Sequence, residues 1–526
     1  MSLRIGIDVG GTHTDAIVMD GDRVVATVKC LTTEDVTTGI VAALRVLREQ
    51  SEVDPKDVRA VMIGTTHFIN ALVEANRLAP TAALRFGLPA TAALPPMVDW
   101  PDSLVTAVGG RSYLCHGGVE FDGQDIADLD EDEIRRAAHD MLSHGVRSVA
   151  VSSVFSPVSA EHELRAAELL AAEAPELDVS LSHEIGRLGL LQRENATIIN
   201  AALREMAAQI VDGLAAAVHG AGITAPLYLS QNDGTLMEVD YARRYPVATF
   251  ASGPTNSMRG AAFLSGLTDC AVVDVGGTTT DVGVLRHGFP REAATEVVVA
   301  GVRTNFRMPD VLSIGLGGGS LVHGTGAADV AVGPDSVGYR LTDRALVFGG
   351  DTLTATDIAV AAGILDIGER GRVRHLAKDF VAAVLADIET KVARTVDRMR
   401  SSRERPPVVV VGGGGILVPD TLEGAGTVHR TEHFAVANAI GAAIAQVGGE
   451  VDRIYPIEPG RREAVLDAAK QEAVDRAVAG GADPGRVRIV DIDEIPIAYL
   501  PGNATRVRVK AVGDLVLGTD STDGVA

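Results

Sequence analysis

The sequence is short of the residues that staple a chain or attract polyanions. Its three cysteines, Cys30, Cys115 and Cys270, are scattered and form no CxxC pair, so neither a disulfide framework nor a zinc ribbon is supported. Cys115-His116 has no second pair at metal-ligand spacing, and no zinc site is expected. A reducing cytoplasm fits this cysteine usage. Basic residues are outnumbered, 47 Lys plus Arg against 70 Asp plus Glu, for a net charge of −23. That disfavours nucleic acid or an anionic membrane as a partner, because both would be repelled. The most apolar long stretch, AVANAIGAAIAQVGG (435–449), is too short to span a bilayer and carries Asn438 and Gln446. No basic region followed by an apolar run opens the chain, so no signal peptide is expected. A GxxxxGK[ST] phosphate loop does not occur, and lysines are scarce.

What is present is a repeat. DVGGTHTD at 8–15 returns as DVGGTTTD at 274–281. Each octapeptide follows a short apolar run, LRIGIDV (3–9) or CAVVDV (270–275), and leads into another, TDAIVMD (14–20) or DVGVLR (281–286). The pattern predicts strand, tight turn, strand. A third strand is expected in each copy, RVVATVK (23–29) and ATEVVVAG (294–301). A repeat of this size points to two related half-molecules rather than a solenoid. Between the copies, helix patterns at 131–145 and 160–175 alternate with an apolar strand pattern at 146–155, the rhythm of an α/β sheet covered by helices. RENATIINAALREMAAQIVDGLAAAV (193–218) predicts a long helix. DVLSIGLGGGSLV (310–322) predicts strand, glycine turn, strand, and HFAVANAIGAAIAQVGG (433–449) a helix closed by glycine. Residues 460–526 predict one helix and two short strands, with DSTDGVA at the end disordered.

The octapeptide suits phosphate. Its paired glycines, Gly10-Gly11 and Gly276-Gly277, let the backbone approach a ligand closely and adopt positive φ. Successive N–H groups then form an anion-binding concavity. Thr12, His13 and Thr14, and Thr278, Thr279 and Thr280, add donors. Two such turns from opposed half-molecules would grip a polyphosphate from both sides. Asp8 and Asp274 end the strands beside the turns. Two carboxylates there call for a cation, and Mg²⁺ held largely through waters suits them. Either can also orient an attacking water or accept a proton. Asp15 and Asp281 are expected to fix hairpin geometry, and Asp357 to cap a helix. Ser252-Gly253-Pro254, at the start of a helix, suits either a phosphate or a plain cap.

These turns, together with VVVVGGGGI (408–416), resemble the nucleotide site of the actin, Hsp70 and sugar-kinase superfamily. Within it the chain is similar to the ATP-binding (A-type) subunits of the hydantoinase/oxoprolinase family. The specific marks are GIDVGGTHTDAIV (6–18), IGTTHFINALVE (63–74), SHEIG (182–186), RENATIINAAL (193–203), ASGPTNSMRGAA (251–262), VVDVGGTTTDVG (272–283), SIGLGGGSL (313–321) and TATDIAVAAG (354–363). The family commonly has GTFTD where this chain has GTHTD, and SGPAGG where it has SGPTNS.

The resemblance implies an α/β fold of two actin-like (ribonuclease H-like) domains related by the repeat, with a nucleotide cleft between them. These would be residues 1–267 and 268–455, with a small α+β extension at 456–526. It implies ATP and Mg²⁺ as cofactors, Gly412, Gly413 and Gly414 against the adenosine, and helices at 257–267 and 433–446 crossing at the hinge. Asp8 and Asp274 would be the catalytic and metal-binding pair. Thr65, Thr66, His67 and Asn70 are candidates to meet the substrate, although His67 also suits a satisfied core position.

The implied activity is phosphorylation of the carbonyl oxygen of a cyclic amide such as a lactam or hydantoin. A second polypeptide, hydantoinase B-like or other, would complete ring opening, and a homo-oligomer is also open. The alternatives are a small-molecule kinase of the same fold, an actin-like or chaperone ATPase, and a ketone-carboxylase subunit. A radical-dehydratase activator would need cysteines for an iron–sulfur cluster.

Overall fold

The computed structural model describes residues 3–31, 36–51, 53–293, 296–324, 326–497 and 503–517. The terminal DSTDGVA, expected to be disordered, lies outside them. The apolar runs on either side of each octapeptide do form strands. Leu3–Val9 pairs antiparallel with His13–Asp20, placing Asp8 opposite Asp15. Cys270–Val275 pairs antiparallel with Thr280–Arg286, placing Asp274 opposite Asp281. Each first strand also has a parallel neighbour on its other side, Val58–Thr65 in one half and Val408–Val411 in the other. With both edges paired, such strands read as almost continuous apolar runs.

The first hairpin belongs to a nine-stranded sheet. From one edge this runs Arg23–Leu31, His13–Asp20, Leu3–Val9, Val58–Thr65, Leu227–Ser230 and Thr235–Glu238. It continues through Gln446–Pro456 and Ala504–Gly513 to Arg488–Pro496. The second hairpin belongs to a six-stranded sheet. A separate four-stranded parallel sheet, Arg111–His116, Thr81–Leu88, Ser148–Ser153 and Asp178–Leu181, is interleaved with the expected helices Glu131–Ser143 and Glu161–Glu173. The architecture is mixed α/β. The predicted long helix spans Leu190–Gly220 and buries Ile198, Ile199, Leu203 and Leu214 in one core with Ile5, Ile7 and Ile63 of the nine-stranded sheet.

The Arg193 side chain of this helix stays inside. Arg193 Nε donates to Ser182 Oγ at 2.9 Å, and His183 Nδ1 lies 2.7 Å from the fully buried Glu163 carboxylate. The SHEIG and RENATIINAAL segments therefore meet in one satisfied polar cluster, as burial of such groups requires.

Three expectations are corrected. In the second copy the third strand is not equivalent: Val297–Val299 leaves the sheet and pairs only with Val302–Thr304. Its place beside Thr280–Arg286 is taken by Phe289–Pro290 and Val311–Ile314. The reason is packing, because Val299, Val302 and Phe306 are buried in the core around the long helix. The 433–449 helix is shorter than expected, Ala437–Ala443 after a 3-10 turn at Phe434–Val436. From Gln446 the chain is a strand that pairs with Ala504–Gly513 along its length, so tertiary pairing overrides the helical pattern. That strand runs through position 455/456, where the sequence places a boundary. The two terminal strands, nine and ten residues long, extend the first sheet.

The helices Ser252–Ser265 and Ala437–Ala443 cross in backbone contact. A Cβ on Gly260 would lie 1.9 Å from the Ala437 carbonyl oxygen, and one on Gly441 1.8 Å from that of Asn256. Only glycine permits that approach.

Candidate functional site

The two octapeptide turns have the same internal bond. The Gly10 N–H donates to the His13 carbonyl at 3.0 Å, and the Gly276 N–H to the Thr279 carbonyl at 2.9 Å. None of Gly10, Gly11, Gly276 and Gly277 has a φ in the left-handed region, contrary to expectation. Close approach is what holds glycine at Gly277: a Cβ there would lie 3.1 Å from Thr12 Oγ1 and 3.2 Å from Thr12 Cγ2. The turns, 266 residues apart in sequence by subtraction of 11 from 277, are thus in contact.

Two further glycine segments brace the second turn. The Gly318 and Gly319 N–H groups donate to the Gly276 and Gly277 carbonyls at 3.0 and 2.7 Å. Residues 315–319 are therefore not a hairpin turn, because the strands on either side pair with different partners. In the third glycine loop, Gly412 has φ +85, and a Cβ on it would lie 2.2 Å from Asp274 Oδ1. The Gly414 N–H donates to the Val275 carbonyl at 2.8 Å. Gly413 lies beside Lys29 of the first half, with its Cβ position 3.6 Å from Lys29 Cε.

Asp8 is 4% exposed and is held from both crossing helices. Asn256 Nδ2 donates to one carboxylate oxygen at 3.2 Å and Asn438 Nδ2 to the other at 3.0 Å. The Asn438 amide also donates to Asp15 at 2.9 Å. Burial pushes the Asp8 carboxyl up to about 6; the two amides oppose this, and the charges of Asp15 and Asp274 add to it. Asp274 is also raised by burial, against a hydrogen bond from Ser257. Asp281 is pushed up to about 6 by burial, against a hydrogen bond from Ser313. Among the described residues, Asp8 and Asp274 are in no ion pair. With Asp8 buried, Asp274 half-buried and only hard oxygen donors on offer, the pair fits a Mg²⁺ ion held largely through waters. Among the described residues no three His, Cys, Asp or Glu side chains form a ready-made metal cage.

The four candidate substrate residues separate into two groups. Thr65 ends its strand beside Val9. Its N–H donates to Ser252 Oγ at 3.2 Å, and the Ser252 hydroxyl donates back to the Thr65 carbonyl at 3.1 Å. Ser252 therefore ties the helix to the first sheet rather than capping it. The Thr66 hydroxyl donates to the Val9 carbonyl at 3.4 Å, and His67 Nδ1 is 2.6 Å from Thr65 Oγ1. Thr65, Thr66 and His67 thus adjoin the first turn, whereas Asn70 is exposed on the helix His67–Val73. Asp357 caps its helix: it forms a reciprocal capping box with Thr354.

Sequence reasoning missed Lys29 and Asn256, and noted Asn438 only as a polar interruption. For Lys29 a signal existed, since the expected hairpin register sets it opposite Asp15. For the asparagines the resemblance implied the helix crossing but not which side chains it turns toward Asp8.

The chain matches two family models. One, described as the hydantoinase/oxoprolinase N-terminal region, covers residues 4–174, and the other, hydantoinase/oxoprolinase, covers residues 193–369. The caprolactamase alpha subunit of Pseudomonas jessenii is 27% identical over 428 residues, covering 75% of this chain and 60% of that protein. The acetophenone carboxylase gamma subunit of Aromatoleum aromaticum is 25% identical over 402 residues, covering 69% of this chain and 53% of that protein. The chain thus spans between half and two thirds of the length of these relatives. The crystal structure of the ATP-dependent caprolactamase from Pseudomonas jessenii superposes with a TM-score of 0.77 at 19% identity, over 99% of this chain and 89% of that one.

Proposed function

The chain belongs to the hydantoinase/oxoprolinase family, and on that premise we propose that it is the ATP-binding subunit of an ATP-dependent amidohydrolase acting on a cyclic amide. The observation that carries this reading is the contact of the two octapeptide turns, with a carboxylate behind each, buried at Asp8 and half-buried at Asp274. In this reading two actin-like units, built on the nine-stranded and the six-stranded sheet, flank a nucleotide cleft, and the strands from Gln446 onward lie with the first. The N–H groups of the two turns not bonded within them, with Thr12, His13, Thr278 and Thr279, receive the polyphosphate; Thr14 and Thr280 are fully buried, and the Thr280 hydroxyl donates to the Leu316 carbonyl. Asp8 and Asp274 would hold Mg²⁺ mostly through waters, and the ion would supply neutralisation of phosphate charge. Gly412, Gly413 and Gly414 would pack against the adenosine, and Thr65, Thr66 and His67 adjoin the substrate.

The chemistry answers a physical need. Lactam C–N resonance makes the carbonyl carbon a poor electrophile. Transfer of the γ-phosphoryl group to the carbonyl oxygen releases ADP and removes that resonance. Water then adds at the carbon, the C–N bond breaks as the nitrogen takes up a proton, and the acyl phosphate so formed loses phosphate to a second water. We assign the first step to this chain and the later ones to a separate partner polypeptide. The similarity to a protein named as a caprolactamase favours a lactam. The similarity to a protein named as part of an acetophenone carboxylase favours a second reading, a ketone-carboxylase subunit.

The test is an ATPase screen with lactams, hydantoins and ketones, with and without the protein encoded next door. ADP and phosphate formed in step with ring opening, and only with the partner present, support the proposal. Full turnover by the isolated chain would refute the division of labour. Accumulation of a stable phosphorylated product would make the protein a kinase instead.

A further inference from the structure

Lys29 is one of only six lysines and lies outside every motif that marks the family resemblance. Strand pairing sets Asp8 opposite Asp15 and Asp15 opposite Lys29, so the three stand in one row across three strands. The Lys29 ammonium donates to both Asp15 oxygens, at 2.7 and 2.8 Å. Its third contact is long, 3.3 Å to the carbonyl of Ala435, just before the second crossing helix. The Lys29 side chain stays 33% exposed, whereas Asp15 is 3% exposed. Its outer end lies beside Gly413 of the third glycine loop. Among the described residues no other lysine or arginine is ion-paired with Asp8, Asp15, Asp274 or Asp281.

A polyphosphate drawn against these carboxylates meets like charge on every side. A divalent ion offsets part of it, and a fixed ammonium is the natural complement. Lys29 has the necessary features. Asp15 aims it, one of its three N–H donors is weakly engaged, and its tip is open to solvent beside a loop whose glycine offers no side-chain obstacle. In the second half Asp281 is met instead by the Ser313 hydroxyl.

We propose that Lys29 binds the polyphosphate of the nucleotide, exchanging the Ala435 carbonyl for a phosphate oxygen while Asp15 keeps the ammonium aimed. This rests on reading the two turns as a nucleotide site.

The test is calorimetric titration of the full chain with ATP, ADP and AMP in the presence of Mg²⁺, for wild type, Lys29→Met, Lys29→Arg and Asp15→Asn. Lys29→Met should weaken ATP and ADP by about 10- to 100-fold, the range of one charge-assisted hydrogen bond, while changing AMP much less. Lys29→Arg should restore most of the preference for ATP over AMP, and Asp15→Asn should retain it. Equal losses for all three nucleotides in Lys29→Met, or an unchanged ATP to AMP ratio, would make Lys29 a structural latch and overturn the inference. Wild type that binds none of them would instead sink the nucleotide reading itself. Lys29→Gln is read in the same way if Lys29→Met does not fold.

Discussion

The side chain of Thr12 lies against Gly277, close enough that a Cβ on the glycine would be 3.1 Å from the threonine hydroxyl. This single approach joins the two halves of the repeat. A branched side chain at Gly277 would press on the Thr12 side chain, which must shift to admit it. Gly277→Val should therefore lower ATP affinity at least about tenfold, with thermal stability nearly unchanged because the glycine is at a partly exposed turn. Gly11→Ala is the stability control, since its Cβ would meet nothing within 4 Å. Calorimetric titration and thermal melts of both variants decide the matter.

The helix crossing is less forgiving. At Gly260 and Gly441 an added Cβ meets backbone oxygen of the opposite helix at 1.9 and 1.8 Å, and neither backbone can rotate away. Gly260→Ala and Gly441→Ala should each cost about 3 kcal/mol in urea unfolding. Because they wedge the same contact, the double variant should cost clearly less than the sum.

Asp8 gives a pH signature. Its carboxyl is raised to about 6 in the folded chain, above the ordinary value near 3.8 that the unfolded chain restores. Between those values the folded state binds more protons than the unfolded one. Asp8 therefore adds stability at low pH that is lost as pH rises through about 6. The size is up to about 3 kcal/mol for a shift of about two units. The stability difference between wild type and Asp8→Asn, measured by urea unfolding from pH 4 to 7, should fall by that order as pH rises. A flat difference would mean that the carboxylate is better solvated than its burial implies.

Much of the fold could be read along the chain. The octapeptide hairpins, the alternating helices and strands of residues 131–175, the long helix and the Asp357 cap all form where local pattern places them. Turn chemistry and side-chain periodicity act over a few residues, so they survive whatever surrounds them. Expectations failed where a distant partner outbid the local pattern. Gln446–Pro456 is a strand because Ala504–Gly513 pairs with it. The chain at 297–304 leaves its sheet because the long helix offers Val299 and Val302 a core.

The sequence by itself determined two glycine turns, each with an aspartate behind it, and a chain with few lysines to meet phosphate. Tertiary structure alone decided that the turns touch, that residues 248 and 430 positions away from Asp8 donate to its two oxygens, and that Lys29 stands beside the third glycine loop. The physical reason is that hairpins are fixed by neighbours in sequence, whereas the charge and hydrogen bonding of a buried carboxylate are fixed by whichever elements the whole fold packs over it.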